Sequence, residues 1–352
     1  MPSISAIGRY VPVIGPAAVI AKSLAFQASM SLPLSVQRRI SGPAIEGDGQ
    51  VLAADMQMML MLKKVSGEPA VEDLPIPAGR VAMARQAEIA GGIQPIGATS
   101  DHWINGQKAR LYIPTDESPN RGLLVFFHGG GFIYGDVESH DAACRFLAEE
   151  SGVRIVSVAY RLAPEHTFPA AYDDAIIAFK HVVAHADEYG ADPKRIGVGG
   201  DSAGGNLAAG VALAVGRACA FQLLIYPATH FGSTTDSKAM FGEGFYLTQK
   251  FMDLAHDTYA PTDLVSTEDP RLSPLFAKVR KTTAPAFIAT AGFDPLRDEG
   301  EAYAVKLDKA GIDVDVQRYE GLIHGFLNIV GSGHTARAAV REMAGVLALR
   351  LG

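Results

Sequence analysis

Short β-rich segments alternate with helical segments from Gly122 onward, and this alternation constrains the fold more than any other feature of the sequence. Strands are predicted at residues 123–127, 154–159, 195–199, 221–226, 286–291 and 313–318. Helices are predicted at residues 138–150, 169–185, 203–215, 248–259, 298–310 and 334–349. Because strands connected by helices of this length run parallel, the pattern predicts an α/β fold with a mostly parallel central sheet and helices on both faces.

The first hundred residues follow a different pattern, which predicts a helical layer. Residues 51–65 carry a stripe of methionine and leucine that is typical of a core-facing helix, and Gly67 marks the end of that helix. A second helical stretch is predicted over residues 72–89. Asn105-Gly106 lies between two strand-like runs and predicts a tight β-hairpin.

These changes of pattern divide the chain into parts. The predicted parts are an N-terminal extension, a layer of N-terminal helices and a larger α/β domain, at residues 1–44, 45–100 and 101–352. Residues 228–275 interrupt the alternation between two predicted strands. An insertion at the carboxyl end of a strand predicts a lid over a ligand crevice.

The strongest chemical signal is Gly200-Asp201-Ser202-Ala203-Gly204, a GxSxG sequence between a predicted strand and a predicted helix. A nucleophile elbow has this arrangement, and its glycines are needed because larger side chains would clash in the tight turn. The serine then lies at the N-terminus of a helix, where the helix dipole favours developing negative charge. Ser202 is therefore the predicted nucleophile, with Gly200, Asp201 and Gly204 as supporting residues.

Three glycines, Gly129, Gly130 and Gly131, follow His128 directly after the first predicted strand of the sheet. Glycines at the end of a buried strand indicate backbone that lies against a ligand. Their N–H groups can form an oxyanion hole together with the N–H of Ala203. A phosphate-binding turn is disfavoured because neither GxGxxG nor GK[ST] occurs here. His128 is predicted to orient this turn through hydrogen bonds rather than to act as a base.

A serine nucleophile needs a histidine base, which in turn needs an acid to orient it. The histidines that follow the elbow are His230, His256, His324 and His334. We predict His324 as the base because it lies in a loop after the last predicted strand, at the edge of the sheet where Ser202 also lies. Asp294 follows the preceding strand at the same edge and is the predicted acid. Asp298 is predicted to cap the next helix, with Glu301 completing a capping box.

Five segments together are similar to a known family. They are HGGG at 128–131, YRLAPEH at 160–166, GDSAGG at 200–205, DPLRD at 294–298 and HGF at 324–326. In this order, over roughly residues 45–352, the chain resembles the hormone-sensitive-lipase-like esterases, also called bacterial family IV. The extension 1–44 departs from the family pattern, whose cap helices begin near Val51.

The resemblance implies an α/β-hydrolase fold with a helical cap, which the N-terminal region and the 228–275 insertion would form. By position it implies Gly129, Gly130 and Ala203 as the oxyanion donors. It further implies hydrolysis of short-chain carboxylic esters, small molecules, without a cofactor or a metal ion. The larger domain at 101–352 would be the catalytic one.

We therefore predict a serine carboxylesterase that works through Ser202, His324, Asp294 and an acyl-enzyme intermediate. An amidase or acyltransferase using the same residues stays open, because these reactions differ mainly in leaving group and water access. A long-chain lipase has the apolar N-terminus as its support. A non-catalytic ligand-binding module is the least favoured alternative, because all three positions are occupied.

The charge and the cysteine content limit the classes of partner that this chain is expected to bind. The formal net charge of −7 provides no basic surplus for nucleic acid. Cys144 and Cys219 form neither a disulfide framework nor a metal-type pair, and two buried or partly buried thiols are expected. The alternating charges of residues 313–318 are consistent with an edge strand, through which a homodimer is expected, although they could equally protect that edge.

The apolar residues 10–30 faintly resemble a signal peptide, with Arg9 in front of them. Pro12, Pro16 and Lys22 interrupt this stretch, so we expect either a segment that packs over the domain or an interfacial helix near residues 19–30. The predicted location is the cytoplasm, with export or peripheral membrane association as the less favoured alternatives.

Overall fold

An eight-stranded sheet lies at the centre of the computed structural model, which describes residues 16–352. The strands are β1 (Glu46–Gly47), β2 (Gln50–Val51), β3 (Ala98–Ile104), β4 (Gln107–Ile113), β5 (Leu123–Phe127), β6 (Arg154–Val158), β7 (Ile196–Asp201), β8 (Gln222–Ile225), β9 (Ala286–Phe293) and β10 (Val314–Ile323). The helices are α1 (Pro16–Met30), α2 (Leu34–Ser41), α3 (Ala54–Ser66), α4 (Ile76–Gly91), α5 (Asp141–Ser151), α6 (Ala170–Ala184), α7 (Ala203–Val215), α8 (Asp236–Phe241), α9 (Gln249–Tyr259), α10 (Arg297–Lys309) and α11 (Thr335–Arg350).

The strands of the large sheet lie in the order β10-β9-β8-β7-β5-β6-β4-β3. Neighbouring strands from β10 to β6 run parallel, whereas β4 runs antiparallel to both β6 and β3. The predicted hairpin joins β3 to β4 through Asn105 and Gly106, both of which have positive φ, as a type I′ turn requires. The predicted fold class, a mostly parallel sheet with helices on both faces, is confirmed.

Strand β5 shows how the sheet is covered on both sides, since all five of its residues are buried. Leu123, Val125 and Phe127 belong to the core on one face, which also contains residues of α6, α7 and α10. Leu124 and Phe126 belong to the core on the other face, together with residues of α5 and α11. An uninterrupted apolar run is therefore what a central parallel strand needs.

The N-terminal helices cover one end of this second core. The methionine stripe of α3 is buried there, with Met56, Met58 and Met59 all in the core. Gly67 ends α3 in a left-handed conformation and donates its N–H to the Lys64 carbonyl, as predicted for a helix stop. The division into cap and catalytic domain stays a prediction.

The structure changes one predicted boundary near the site. Strand β10 continues beyond the predicted end at 318, through an irregularity between Tyr319 and Ile323. His324 therefore follows the strand directly and does not lie several residues into a loop. The pairing with β9 is interrupted after Tyr319 and resumes at Ile323.

The predicted capping role of Asp298 is wrong. Helix α10 begins at Arg297, and its N-cap residue, Leu296, makes no side-chain cap. The turn before α10 is closed by Asp294, whose Oδ1 accepts the Leu296 N–H at 2.8 Å, so the helix starts earlier than expected. Asp298 instead accepts the N–H of Ser237 at 2.8 Å and so connects α10 to α8 in the insertion.

Glu301 does not complete a capping box either. Its carboxylate pairs with Arg318 on β10 and accepts a hydrogen bond from Thr290 on β9. It therefore joins α10 to two strands of the sheet rather than closing the start of its own helix.

No helix within residues 16–352 is both long enough and apolar enough to cross a membrane. Residues 10–15 of the apolar N-terminal stretch lie outside the described part of the chain, and the rest of the stretch forms α1. The predicted compartment stays a prediction. Cys144 and Cys219 are free and buried, as the sequence predicted.

Candidate active site

Ser202 lies in the tight turn between β7 and α7. Its backbone has φ 55° and ψ −117°, a conformation that a non-glycine residue rarely adopts. The turn is held because the Ser202 N–H donates to the Ile225 carbonyl at 2.9 Å. The serine side chain is therefore presented at the carboxyl edge of the sheet, at the first turn of a helix.

The turn has room for no side chain at its two glycines. A Cβ on Gly204 would lie 1.9 Å from the Phe127 carbonyl oxygen, and one on Gly200 would lie 2.4 Å from the Gly204 backbone. Both distances are below any real non-bonded contact. The GxSxG glycines thus allow α7 to start directly against the end of β5.

The structure brings the three predicted catalytic side chains together. His324 Nε2 lies 3.0 Å from Ser202 Oγ, and His324 Nδ1 lies 2.8 Å from Asp294 Oδ2. His324 and Asp294 meet because they directly follow Ile323 and Phe293, which are paired at the ends of the parallel strands β10 and β9.

The acid is fully buried and the base nearly so. Asp294 is 0% exposed and His324 is 6% exposed. Asp294 Oδ1 accepts the Leu296 N–H, so the carboxylate is fixed with Oδ2 facing the imidazole. A carboxylate in this position requires that Nδ1 carry the imidazole proton, which leaves Nε2 free to accept a proton from the serine.

Gly129 does not fit its predicted role as an oxyanion donor. Its N–H donates to Asp201 Oδ1 at 2.8 Å, so this donor is already occupied. Within residues 16–352 the N–H groups of Gly130, Gly131 and Ala203 have no hydrogen-bond acceptor. The sequence predicted a turn with free donors but not which of its N–H groups the fold itself would use.

His128 is buried at the start of the glycine turn, with Nδ1 2.9 Å from the Gly129 carbonyl oxygen. Its ring stacks on Tyr160 at 4.3 Å between centroids, and the Tyr160 hydroxyl donates to the His128 carbonyl at 2.7 Å. Burial lowers the pKa of His128 to about 4, so the ring is neutral near pH 7. These contacts hold the turn from behind, which is the arrangement expected of an orienting residue.

Asp201 occupies the position before the serine and is 3% exposed. Its carboxylate accepts the Gly129 N–H, contacts His140 Nε2 at 3.1 Å and accepts the Tyr226 hydroxyl at 3.3 Å. Burial by itself would raise the pKa of Asp201, but His140 and the Gly129 N–H outweigh it and lower that pKa. Asp201 is therefore a buried, ionised group beside the nucleophile.

Sequence reasoning missed His140. It lies in no motif and precedes α5, far along the chain from Asp201. Its partners become visible only when the glycine turn and the elbow are placed side by side.

A cavity of about 400 Å³ extends from Ser202 and His324 towards the N-terminal helices. Much of its wall is apolar, with Phe26 from α1, Met59 and Leu62 from α3, Met83 from α4, and Leu247 and Phe251 from the 228–275 insertion. Charged side chains lie among the lining residues as well: Lys22, Lys63, Glu68 and Glu72. Within residues 16–352, no group of three or more His, Cys, Asp or Glu side chains could hold a metal ion.

A mostly parallel sheet with a serine elbow, a histidine and an aspartate at its carboxyl edge is the arrangement of α/β hydrolases. The sequence profile of the family described as the alpha/beta hydrolase fold matches residues 124–328. The chain belongs to this family, in its hormone-sensitive-lipase-like branch.

Curated relatives give the activity class. The chain is 41% identical to carboxylic ester hydrolase LipN of Mycobacterium tuberculosis over 336 residues, which cover 91% of this chain and 89% of the relative. It is 39% identical to ethyl acetate hydrolase of Pseudomonas putida, over 62% of this chain and 71% of that enzyme.

A solved structure agrees with these relatives. The ester hydrolase EH1AB1 from the metagenome of Lake Arreo superposes with a TM-score of 0.81 at 39% identity, covering 85% of this chain and 98% of that chain. The protein is a carboxylic ester hydrolase.

The close approach at Gly204 generates a prediction. Gly204→Ala places a methyl group against the Phe127 carbonyl, so it should lower the free energy of unfolding by about 1–3 kcal/mol and reduce ester hydrolysis as the elbow shifts. Gly345→Ala is the matched control, because Gly345 is exposed in α11 with nothing within 4 Å of the added Cβ. It should stabilise the protein by about 0.4–1 kcal/mol at full activity. Urea unfolding and initial rates measure both; equal behaviour of the two variants would contradict the packing argument.

Proposed function

We propose that Ser202 is the nucleophile, His324 the general base and Asp294 the acid of a catalytic triad for ester hydrolysis. The observation that carries this proposal is the continuous hydrogen-bonded relay from Asp294 Oδ2 through the imidazole to Ser202 Oγ, with contacts of 2.8 and 3.0 Å. Both distances lie in the range for proton transfer between positioned side chains. The strained backbone at Ser202 supports the same role, since such strain is concentrated at functional sites.

In the first half of the reaction, Ser202 Oγ attacks the ester carbonyl carbon while His324 Nε2 takes the hydroxyl proton. The carbonyl π electrons move to the oxygen, and a tetrahedral intermediate forms. Asp294 stabilises the imidazolium and holds it in the productive orientation. When the intermediate collapses, the bond to the leaving oxygen breaks and His324 donates its proton to the alcohol.

In the second half, a water molecule loses a proton to His324 and attacks the acyl-enzyme carbonyl. The second intermediate collapses, the carboxylic acid leaves and the proton returns to Ser202 Oγ. Each half begins and ends with a neutral imidazole, and the acyl group that Ser202 gains in the first half is lost to water in the second, so the reaction balances without a cofactor.

The developing oxyanion is proposed to bind the N–H groups of Gly130, Gly131 and Ala203. These three donors lack acceptors in the described chain, and two belong to the glycine turn while the third begins α7. Gly130 and Gly131 have φ of +120° and +62°, which frees their peptides from the extended path of β5. Loss of one such donor typically costs about 100- to 1000-fold in rate.

The triad assignment predicts graded losses of rate. Ser202→Ala should reduce kcat for p-nitrophenyl butyrate by several orders of magnitude, and Asp294→Asn by about 10⁴-fold, because the amide no longer selects the productive imidazole tautomer. Asp298→Asn is the control, since an amide oxygen can still accept the Ser237 N–H. It should stay within a few-fold of the parent. Initial rates on the purified variants test this assignment. If Asp298→Asn lost activity while Asp294→Asn kept full activity, Asp294 would not be the acid of the triad.

We propose short to medium acyl esters as the substrates. The apolar side chains that line the cavity favour an uncharged acyl chain, whereas charged side chains in the same wall, such as Lys22 and Glu68, disfavour an extended one. The contribution of α1 and of the 228–275 insertion to the walls supports their proposed role as cap.

The position of α1 makes this substrate proposal testable. Phe26 lines the cavity, whereas Leu24 of the same helix is 62% exposed and does not line it. Phe26→Ala should enlarge the cavity and shift the preferred acyl length upward across a series of p-nitrophenyl esters from acetate to decanoate. Leu24→Ala should leave the profile unchanged. Identical profiles for Phe26→Ala and the parent would exclude α1 from the acyl site.

We further propose that two chains pair through β10. This ten-residue strand is at one edge of the sheet, and its Val316 is 47% exposed. Arg350 pairs with Asp313 and Asp315, which reduces the negative charge along that edge. Val316→Lys should then weaken the dimer at least about tenfold, because a buried lysine lacks a partner. Light scattering over a concentration series measures this; a monomeric parent would mean that the charged edge protects against pairing.

A further inference from the structure

His140 lies where the three loops of the site meet. It is 3% exposed and directly precedes α5. Its Nε2 lies 3.3 Å from the Gly129 nitrogen, 3.1 Å from Asp201 Oδ1 and 3.2 Å from the Asn328 side-chain nitrogen. These neighbouring atoms belong to the glycine turn, the elbow and the turn that follows His324. The triad mechanism gives His140 no task.

The contact with Asp201 places a proton on Nε2 of His140. An ionised carboxylate has no proton to share, so a 3.1 Å contact requires the proton to be on Nε2. Nδ1 faces Ser139 Oγ at 3.0 Å, and that hydroxyl accepts the Asp136 N–H at 2.8 Å and donates to the Asp136 carbonyl at 2.9 Å. The ring is therefore held from both sides and presents one N–H to the carboxylate.

Asp201 needs this donor to stay in place. Its Oδ1 is shared between His140 Nε2 and the Gly129 N–H, and its Oδ2 accepts the Tyr226 hydroxyl at the longer distance of 3.3 Å. A buried carboxylate that loses a charge-assisted partner rotates or takes up water to recover it. Either change would release the Gly129 N–H.

The backbone at Gly129 follows the carboxylate closely. A Cβ on Gly129 would lie 2.5 Å from Asp201 Oδ2, so the carboxylate packs directly on the glycine backbone. The next two peptides carry the proposed oxyanion donors, Gly130 and Gly131. A shift of Asp201 is therefore transmitted to the donors through a single residue.

The same carboxylate contacts the base side of the site through Tyr226. The Tyr226 hydroxyl donates to Asp201 Oδ2 and accepts the Leu327 N–H at 3.3 Å. Its ring lies 4.5 Å from the His324 ring between centroids. The turn after His324 is thus tied to the elbow by Tyr226.

We propose that His140 is a positioning residue for the oxyanion hole. Its Nε2–H holds Asp201 in the orientation that captures the Gly129 N–H, and this leaves Gly130 and Gly131 facing the substrate carbonyl. The inference rests on the proposed triad and hole, and it assigns His140 no contact with the substrate.

Two amide substitutions distinguish two explanations for His140. Either a donor is needed at the position of Nε2, or any polar side chain is sufficient. A glutamine amide nitrogen can take the place of Nε2, whereas an asparagine amide reaches only as far as Nδ1. His140→Gln should therefore stay within about 5-fold of the parent in kcat. His140→Asn should lose about 10- to 100-fold, less than the typical loss when a hole donor is removed outright. His140→Phe, with a ring of similar size, should resemble His140→Asn.

We would measure kcat and KM for p-nitrophenyl butyrate. The active sites are counted by titration with a p-nitrophenyl alkylphosphonate, and the rate at which this compound phosphonylates the enzyme is the third measurement. Because the phosphonyl oxygen occupies the same hole, the phosphonylation rate should fall in parallel with kcat, with KM changed by less than about 3-fold. The pH dependence of kcat/KM should keep its midpoint, since the base is unaltered. His181→Gln on α6 is the control and should match the parent.

Equal kcat per titrated site in the Gln, Asn and parent proteins would overturn the proposal and leave His140 a packing residue. A rise in KM at constant phosphonylation rate would also overturn it, in favour of substrate contact. Should His140→Phe fail to fold, the Gln and Asn pair still decides. Failure of the phosphonate to label the parent at Ser202 would instead contradict the triad, so the two proposals fail separately.

Discussion

The contact between Gly204 and the Phe127 carbonyl is the constraint on which the site depends. It allows the first turn of α7 to rest against the end of β5, so that the elbow and the glycine turn share one edge. The strand pairing of Phe127 with Gly200 sets this register from within the sheet. The serine, the base and the acid then meet because each follows the end of a parallel strand. The distances between their backbone positions are therefore set by the distances between the strands.

Two buried carboxylates, one on each side of the serine, organise this edge. Asp294 is fixed by the Leu296 N–H and turns its second oxygen to the imidazole. Asp201 is fixed by Gly129, His140 and Tyr226, and it reaches the relay only indirectly, through Ser202 beside it and through the Tyr226 ring that lies against His324. A buried charge is tolerated only with such donors, so each carboxylate imposes order on the loops that supply them.

The sequence predicted the site where its residues obey local rules. Ser202 needs flanking glycines, Asp294 follows an apolar run and His324 follows a strand of alternating apolar and charged residues, so the strand pattern placed all three at one edge. Prediction failed where a residue bonds to a partner that is distant in sequence. The Gly129 N–H donates to Asp201 and so does not serve as an oxyanion donor, and Asp298 accepts the Ser237 N–H and so does not cap α10. His140 had no local signal at all, because its partners come from loops that only the folded sheet brings together.

The wall of the cavity and the catalytic relay are held in place by contacts of very different strength. Lys22 of α1 pairs with Glu68 at 2.6 Å, but these side chains are 48% and 40% exposed, and such surface pairs contribute about 0–1 kcal/mol. The relay at the sheet edge shares none of these contacts. Substitutions in α1 can therefore reshape the volume offered to a substrate while the reacting atoms keep their geometry, so substrate range and catalytic competence can evolve separately in this enzyme.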